Sequence, residues 1–329
     1  MATKPKIAMV CRMDKSGLGF QTKMLYEMLK PSKTIVIDST PFNGRKQYPE
    51  WYQDAVILDG FPDNRQFIRH LKDIDVLISC EIFYNHDIPR LCRARGIKTI
   101  LQPNAELNDH FVRPVPKPDA FFMPSPWMEQ ETRGLGIKTY IVQPPVVPPR
   151  LYKEIPKVRG KLNVLHFGGR RAAHDRNGTD IVRNLGHMPE IYIDIHDQGA
   201  SEIDDQRDLY EQDYHVILIP RRYGGLCLPM LEAFSYGLPV IMPNIEPNRQ
   251  ELPEKWLTQA SPGKNIRTKA RVQTYDPDPQ SIIWMLEKFR DMNQVEYDRE
   301  REKATQLHDR HIAQLDNWYK YIQEVVSGT

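Results

Sequence analysis

The chain reads as short apolar runs separated by amphipathic stretches. Val216–Ile219 is an unbroken apolar run ending at Pro220, the pattern of a strand buried on both faces. Beyond it, Pro229–Tyr236 has proline where a starting helix needs no N–H, and Gly237 stands where that helix would be capped. Leu238–Met242 returns as a strand. Between strand and helix, Gly224-Gly225 permits a tight backbone path. The pattern predicts strand, glycine turn, helix, strand. The start of that helix, with its unpaired N–H groups and positive dipole end, is suited to an anion.

The same alternation fills the rest of the chain. Strands are expected at Lys6–Cys11, Thr34–Asp38, Ala55–Leu58, Asp75–Cys80, Lys98–Leu101, Ala120–Met123, Leu162–Phe167 and Glu190–Ile195. Helices are expected at Gln21–Leu29, Asn64–Leu71, Pro89–Arg95, from near Thr179, at Ser201–Tyr210 and at Ser281–Arg290. Glu296–Glu324 reads as a long charged helix broken near His308–His311, with Leu315, Trp318, Tyr319, Ile322 and Val325 as its apolar set. Strands alternating with helices predict parallel sheets covered on both faces, with ligands at the carboxyl ends of the strands. Gln143-Pro-Pro-Val-Val-Pro-Pro149 is a stiff crossover between two halves. The domains expected are 1–146, 147–310 and a terminal helix, 311–329, returning to the first domain.

Composition narrows the class. With 329 residues, 40% hydrophobic and 27% charged, the chain is of ordinary globular type and long enough for two domains. No apolar run reaches the length of a membrane span and no secretory leader pattern opens the chain, so a cytoplasmic protein is expected. Cys11, Cys80, Cys92 and Cys227 lack metal-ligand spacing and read as buried thiols. The net charge of +2 points to no particular partner, but it divides unevenly, about +5 over residues 1–150 and about −3 beyond. Arg12, Lys15, Arg113 and Lys117 fall in the loops of the basic half.

Candidate chemistry collects on the strand-end loops. Gly17-Leu18-Gly19 follows the first strand, where a glycine loop would admit a phosphate, but it lacks the third glycine of the dinucleotide fingerprint and no Walker lysine follows. His86 and His110 each stand beside an aspartate, and Glu106 lies in Pro103-Asn-Ala-Glu-Leu. His110 and Glu106 are the candidate catalytic residues. Asp73-Ile-Asp75 precedes a strand and reads as a solvated strand start rather than a metal site. No metal ligand and no cofactor are assigned. After Leu162–Phe167 comes Gly168-Gly-Arg-Arg-Ala-Ala-His-Asp-Arg-Asn-Gly-Thr-Asp180, a basic loop before a helix.

The stretch 220–233 resembles the donor-sugar signature of the retaining, glycogen-synthase-like superfamily of GT-B glycosyltransferases, Pro-Ser-x-x-Glu-Gly-Phe-Gly-Leu-Pro-x-Leu-Glu-Ala. Pro220, Gly225, Leu228, Pro229, Leu231, Glu232 and Ala233 match it. Gly224 stands in place of the first glutamate, Leu226 in place of the aromatic and Cys227 in place of the second glycine. The basic loop is similar to that family's diphosphate clamp, with Arg171 and Arg176 at its interval and Arg170 as an alternative first partner.

The resemblance implies an α/β GT-B architecture, two Rossmann-like domains facing a cleft. It implies glycosyl transfer from a nucleoside-diphosphate sugar, with retention, without metal and without a covalent side-chain nucleophile. Gly19, Arg170, Arg171, Arg176, Gly224, Gly225, Leu228 and Glu232 would line the donor site, Glu232 holding the ribose. The first glutamate would touch the donor sugar, so its replacement leaves the sugar open. An epimerase or phosphorylase on the same fold, and a ligand-binding homologue without turnover, stand as alternatives. The acceptor stays open among sugar, lipid-linked, protein and nucleic-acid classes, modified DNA included.

Overall fold

The computed structural model describes residues 4–150, 154–168, 175–197, 205, 207–263 and 272–328. It divides into two compact units, Met1–Val146 with Ala313–Thr329, and Val147–Ile312.

The first unit is built on seven parallel strands: β1 (Ile7–Arg12), β2 (Lys33–Asp38), β3 (Val56–Asp59), β4 (Val76–Cys80), β5 (Lys98–Gln102), β6 (Ala120–Met123) and β7 (Lys138–Ile141). Their order is β3-β2-β1-β4-β5-β6-β7. The chain winds outward from β1 in one direction, then restarts at β4 in the other, so the switch point lies between β1 and β4. The side chains of β1 alternate between two cores. Ile7, Met9 and Cys11 join one, and Ala8 and Val10 the other.

The first of those cores is completed by the last helix, Asn317–Ser327, through Trp318, Ile322 and Val325. Its spacing of apolar residues makes one face of a helix. Trp318 is fully buried and its indole N–H donates to the Gln143 carbonyl at 2.8 Å. Tyr319 donates to the Met28 carbonyl at 2.6 Å, and Tyr140 to the Glu324 carboxylate at 2.8 Å.

The second unit carries five parallel strands: β8 (Leu162–Gly168), β9 (Ile191–Asp197), β10 (Val216–Leu218), β11 (Val240–Pro243) and β12 (Leu257–Thr258). Their order, β12-β11-β10-β8-β9, is again doubly wound, with the switch point between β8 and β10. Leu218 of β10 lies opposite His166 of β8, so the loops leaving these two strands emerge side by side.

Two expectations change, and one strand is added. Gly17-Leu18-Gly19 is the first turn of a helix running Gly17–Leu29, because Ser16 caps it by accepting the Gly19 N–H at 3.0 Å. The helix Gln294–Leu315 runs unbroken through His308–His311, which contain neither proline nor glycine, and the interruption falls at Asp316. Strand β7 went unpredicted because Lys138-Thr139-Tyr140 reads as polar. Of the expected helix Ser201–Tyr210, Arg207–Tyr210 is helical and Asp205 is not, and positions 201–204 and 206 lie outside the described residues.

Trp318→Ala would open a cavity beneath the last helix and remove the indole hydrogen bond to the Gln143 carbonyl. Its cost should be about 3–5 kcal/mol, read as a lowered urea midpoint in circular dichroism. A loss below about 1 kcal/mol would show that the helix does not complete this core.

Candidate functional site

Strand β10 supplies the base of the site. After it the chain passes Pro220 and Arg221, turns at Gly224 with φ 123°, and enters the helix Leu228–Ser235 with Pro229 in its first turn. The helix ends as the sequence indicates. Gly237, at φ 64°, donates to the Phe234 carbonyl and Leu238 to that of Ala233, the paired bonds that close a helix on a left-handed glycine. Leu228 opens the helix, and Met230, Leu231, Ala233 and Phe234 anchor it in the interior.

Glu232 lies one turn into this helix and is 4% exposed. Its Oε2 accepts the Tyr210 hydroxyl at 2.7 Å. Tyr210 is itself buried, stacked on Tyr236 with ring centroids 5.2 Å apart and tilted against Phe167 at 5.4 Å. Burial pushes the Glu232 carboxyl up to about 7, and the Tyr210 hydrogen bond opposes that rise. A helix interior would ordinarily present such a glutamate to solvent. Here it is a buried acceptor held in a fixed position.

Two cations meet at the glycine turn. Arg221 is 3% exposed, and its guanidinium donates through Nε to the Tyr223 carbonyl and through Nη2 to the Leu226 carbonyl, both at 2.8 Å. Arg176 comes from the loop after β8, its Nε 3.4 Å from the same Tyr223 carbonyl and its guanidinium over the Tyr223 ring at 5.5 Å. A Cβ on Gly224 would stand 2.1 Å from Arg221 Nη2 and 2.3 Å from Arg176 Nη2. Glycine is therefore required twice, by its positive φ and by the guanidinium groups over its α-carbon. Arg222, next in the chain, pairs with Asp180 and Asp276. Cys227, before the helix, has its thiol raised by burial while Arg221 and Arg176 pull it down.

Gly178 explains how the loop after β8 reaches this turn. It sits at φ 70°, and a Cβ there would lie 2.3 Å from the Pro220 carbonyl oxygen. The Arg222 N–H then donates to the Arg176 carbonyl at 2.8 Å, tying the two loops together by backbone. Of the expected donor residues, Arg176, Gly224 and Gly225 thus share one turn, with Leu228 and Glu232 on the helix it leads into. Arg170 and Arg171 lie outside the described residues.

The first unit's candidates are differently placed. A Cβ on Gly19 would fall 1.8 Å from the Asp14 carbonyl oxygen, so close packing of the loop on itself accounts for this glycine, and its amide is used by the Ser16 cap. Glu106 is 2% exposed in a short 3-10 turn, Ala105–Leu107. His110 lies in the next turn, with Nδ1 2.9 Å from Asn108 Oδ1 and Nε2 3.3 Å from the Pro116 carbonyl. Burial holds its imidazole below the ordinary histidine value, against the pull of the Pro116 carbonyl. His110 lines a small cavity with Glu81, His86, Asn108 and Asp109, and Glu106 is not part of that lining.

The four basic loop residues of the first half have partners within it. Arg12 is buried and paired with Asp14, which Ser39 and Arg45 also approach. Arg113 pairs with Asp109 at 2.7 Å, and the Lys117 ammonium donates to the Leu135 carbonyl. Arg12 is thus taken from the surface by burial, while Arg113 stays half-exposed beside its partner. Lys15 lies over the Tyr48 ring at 4.9 Å. Among the described residues no group of three or more His, Cys, Asp or Glu side chains is arranged to hold a metal ion, and no helix is long and apolar enough to cross a membrane.

Arg221 and Tyr210 were missed in the sequence. Arg221 stands where the signature has serine, three positions before the glycine that replaces glutamate, so the two departures are spatially one change. Tyr210 gave no signal, since its partner is 22 residues away.

No known protein family matches the chain by sequence, and no curated protein does. Solved structures match it along nearly its whole length. HepE of Anabaena, in complex with UDP and glucose, aligns over 99% of this chain and 100% of its own at a TM-score of 0.65 and 10% identity. The lipopolysaccharide outer core galactosyltransferase WaaB aligns over 98% and 99% at 0.61 and 13%. The sucrose-phosphate synthase of Thermosynechococcus elongatus aligns over 96% and 98% at 0.60 and 11%. The likeness is one of fold, and that fold is GT-B.

Glu232 binds its proton more tightly in the folded protein than in the unfolded chain. Its contribution to stability is therefore complete at low pH and is lost as pH rises from the ordinary glutamate range to about 7. Relative to the wild type, Glu232→Gln should gain about 2–3 kcal/mol between pH 5 and pH 8, measured by urea unfolding at each pH. A difference that stays constant with pH would contradict the burial of this carboxyl.

Proposed function

From the GT-B fold of this chain we propose a glycosyltransferase that takes a sugar from a nucleoside-diphosphate donor held in the second unit. The observation that carries the proposal is the turn at the β8–β10 switch point, where a guanidinium, a required glycine, a helix start and a buried glutamate follow one another. The HepE complexes with UDP and with UDP-glucose support a donor of this class. In the reaction, the bond from the anomeric carbon to the diphosphate oxygen breaks, and negative charge grows on the leaving group. Arg176 and the N-terminus of the helix Leu228–Ser235 stabilise that charge. Glu232 accepts the ribose hydroxyls, with Tyr210 fixing the carboxylate by one oxygen. Transfer proceeds with retention and without a metal, the acceptor taking the sugar on the face the diphosphate leaves.

The test is a panel of nucleotide-sugars incubated with the protein, followed by product analysis. Slow hydrolysis of one donor to free sugar and nucleoside diphosphate is the expected result. Interconversion of sugars on the intact nucleotide would indicate an epimerase, and tight binding without turnover a ligand-binding homologue. Within the same site, Arg176→Ala should weaken nucleoside-diphosphate binding by about 1.5–3 kcal/mol, the range for hydrogen bonds to charged groups, as read by calorimetry. Unchanged affinity would remove Arg176 from the diphosphate site.

A further inference from the structure

The open side of β9 sets it apart from the other sheet edges. Among the described residues β9 pairs only with β8, so it ends the second sheet. The remaining edge strands are short: β3 and β7 have four residues each and β12 has two. Short edges, lysines, prolines and bulges are the usual guards against pairing with another chain. β9 has seven residues, Ile-Tyr-Ile-Asp-Ile-His-Asp, with neither lysine nor proline. Its register with β8 runs without a bulge, from Leu162 opposite Ile191 to Gly168 opposite Asp197. The Leu162 N–H donates to the Glu190 carbonyl at 2.9 Å, so the even-numbered residues of β9 turn their backbone groups to β8. Those of Ile193 and Ile195 point to the open side. Tyr192 is 59% exposed, and Ile193 and Ile195 are only partly buried. Trp284, another exposed aromatic, stands on the helix Pro279–Arg290, which packs on β8 and β9.

We propose that β9 pairs antiparallel with β9 of a second copy of this chain, joining two five-stranded sheets across a twofold axis. The occupant follows from self-complementarity, since such an axis sets residue i against j and j against i. Outward-facing backbone groups must meet outward-facing groups, so Ile193 and Ile195 are paired with odd-numbered residues of the other copy. Charge then selects the register. An axis at Asp194 would set that carboxylate against itself, and an axis at Tyr192 would set Glu190 against Asp194. An axis at Ile195 would oppose Ile193 to Asp197. With the axis at Ile193, Ile191 meets Ile195, Tyr192 meets Asp194, and no carboxylate faces another.

The experiment uses the full chain in sedimentation velocity over a concentration series, with hydrogen–deuterium exchange at the same concentrations. A dimer should form at tens of micromolar, and exchange over residues 190–197 should slow as it forms. Tyr192→Asp should raise the dimer dissociation constant about tenfold, because symmetry creates two like-charge pairs with Asp194. Tyr192→Lys should keep the dimer, since the lysine meets that carboxylate. Both substitutions replace a side chain that lies largely in solvent, so the fold survives them. Ile193→Pro removes an outward N–H, leaves the bonds to β8 in place, and should abolish the dimer. A chain that stays monomeric up to about 1 mM would overturn the proposal. So would a dimer that Tyr192→Asp and Tyr192→Lys weaken alike, or that both leave unchanged.

Discussion

Two guanidinium groups meeting over one α-carbon set the geometry of the second unit's strand–turn–helix. Arg176 arrives from the loop after β8 and Arg221 from the end of β10, and Gly224 is the atom-sized gap that lets both fit. A larger side chain there would push one guanidinium away and force the backbone out of its positive φ. The turn delivers the chain into the helix Leu228–Ser235 at a fixed angle, and that angle places Glu232 against Tyr210. Sheet order makes the meeting possible. Because β8 and β10 are neighbours while β9 lies outside them, loops 52 residues apart in sequence leave the sheet at one place.

The buried Glu232 and the cationic turn are complementary parts of one design. A carboxyl raised by burial is costly in the ionised form, and a ligand hydroxyl donating to it would lower that cost. Tyr210 already supplies one donor and sets the direction of the carboxylate. The turn works the other way: its guanidinium groups are held by carbonyls of the loop, and on the proposed reading they and the helix N-terminus would face the phosphates.

Much of this was legible in the sequence, and the reasons are local. Pro229 and Gly237 bracket the helix because each acts through its own backbone, and the structure realises both. The alternation of β1 between two cores follows from a period of two. The failures share a different cause. Ser16 captures the amide of Gly19 and turns an expected glycine loop into helix, a competition between side chain and backbone that composition does not display. Arg12 looked like an exposed loop cation, and in the fold it is buried and paired with Asp14. Tyr210 depends on a contact with Glu232, 22 residues away, so only the folded chain reveals its partner.

Nucleotide binding at the turn after β10 is tested most directly by hydrogen–deuterium exchange with and without a saturating nucleoside diphosphate. The largest slowing of amide exchange should fall within residues 222–232, with a smaller effect over 176–180. Slowing confined to other segments, with 222–232 unchanged in a protein that demonstrably binds the nucleotide, would contradict that placement.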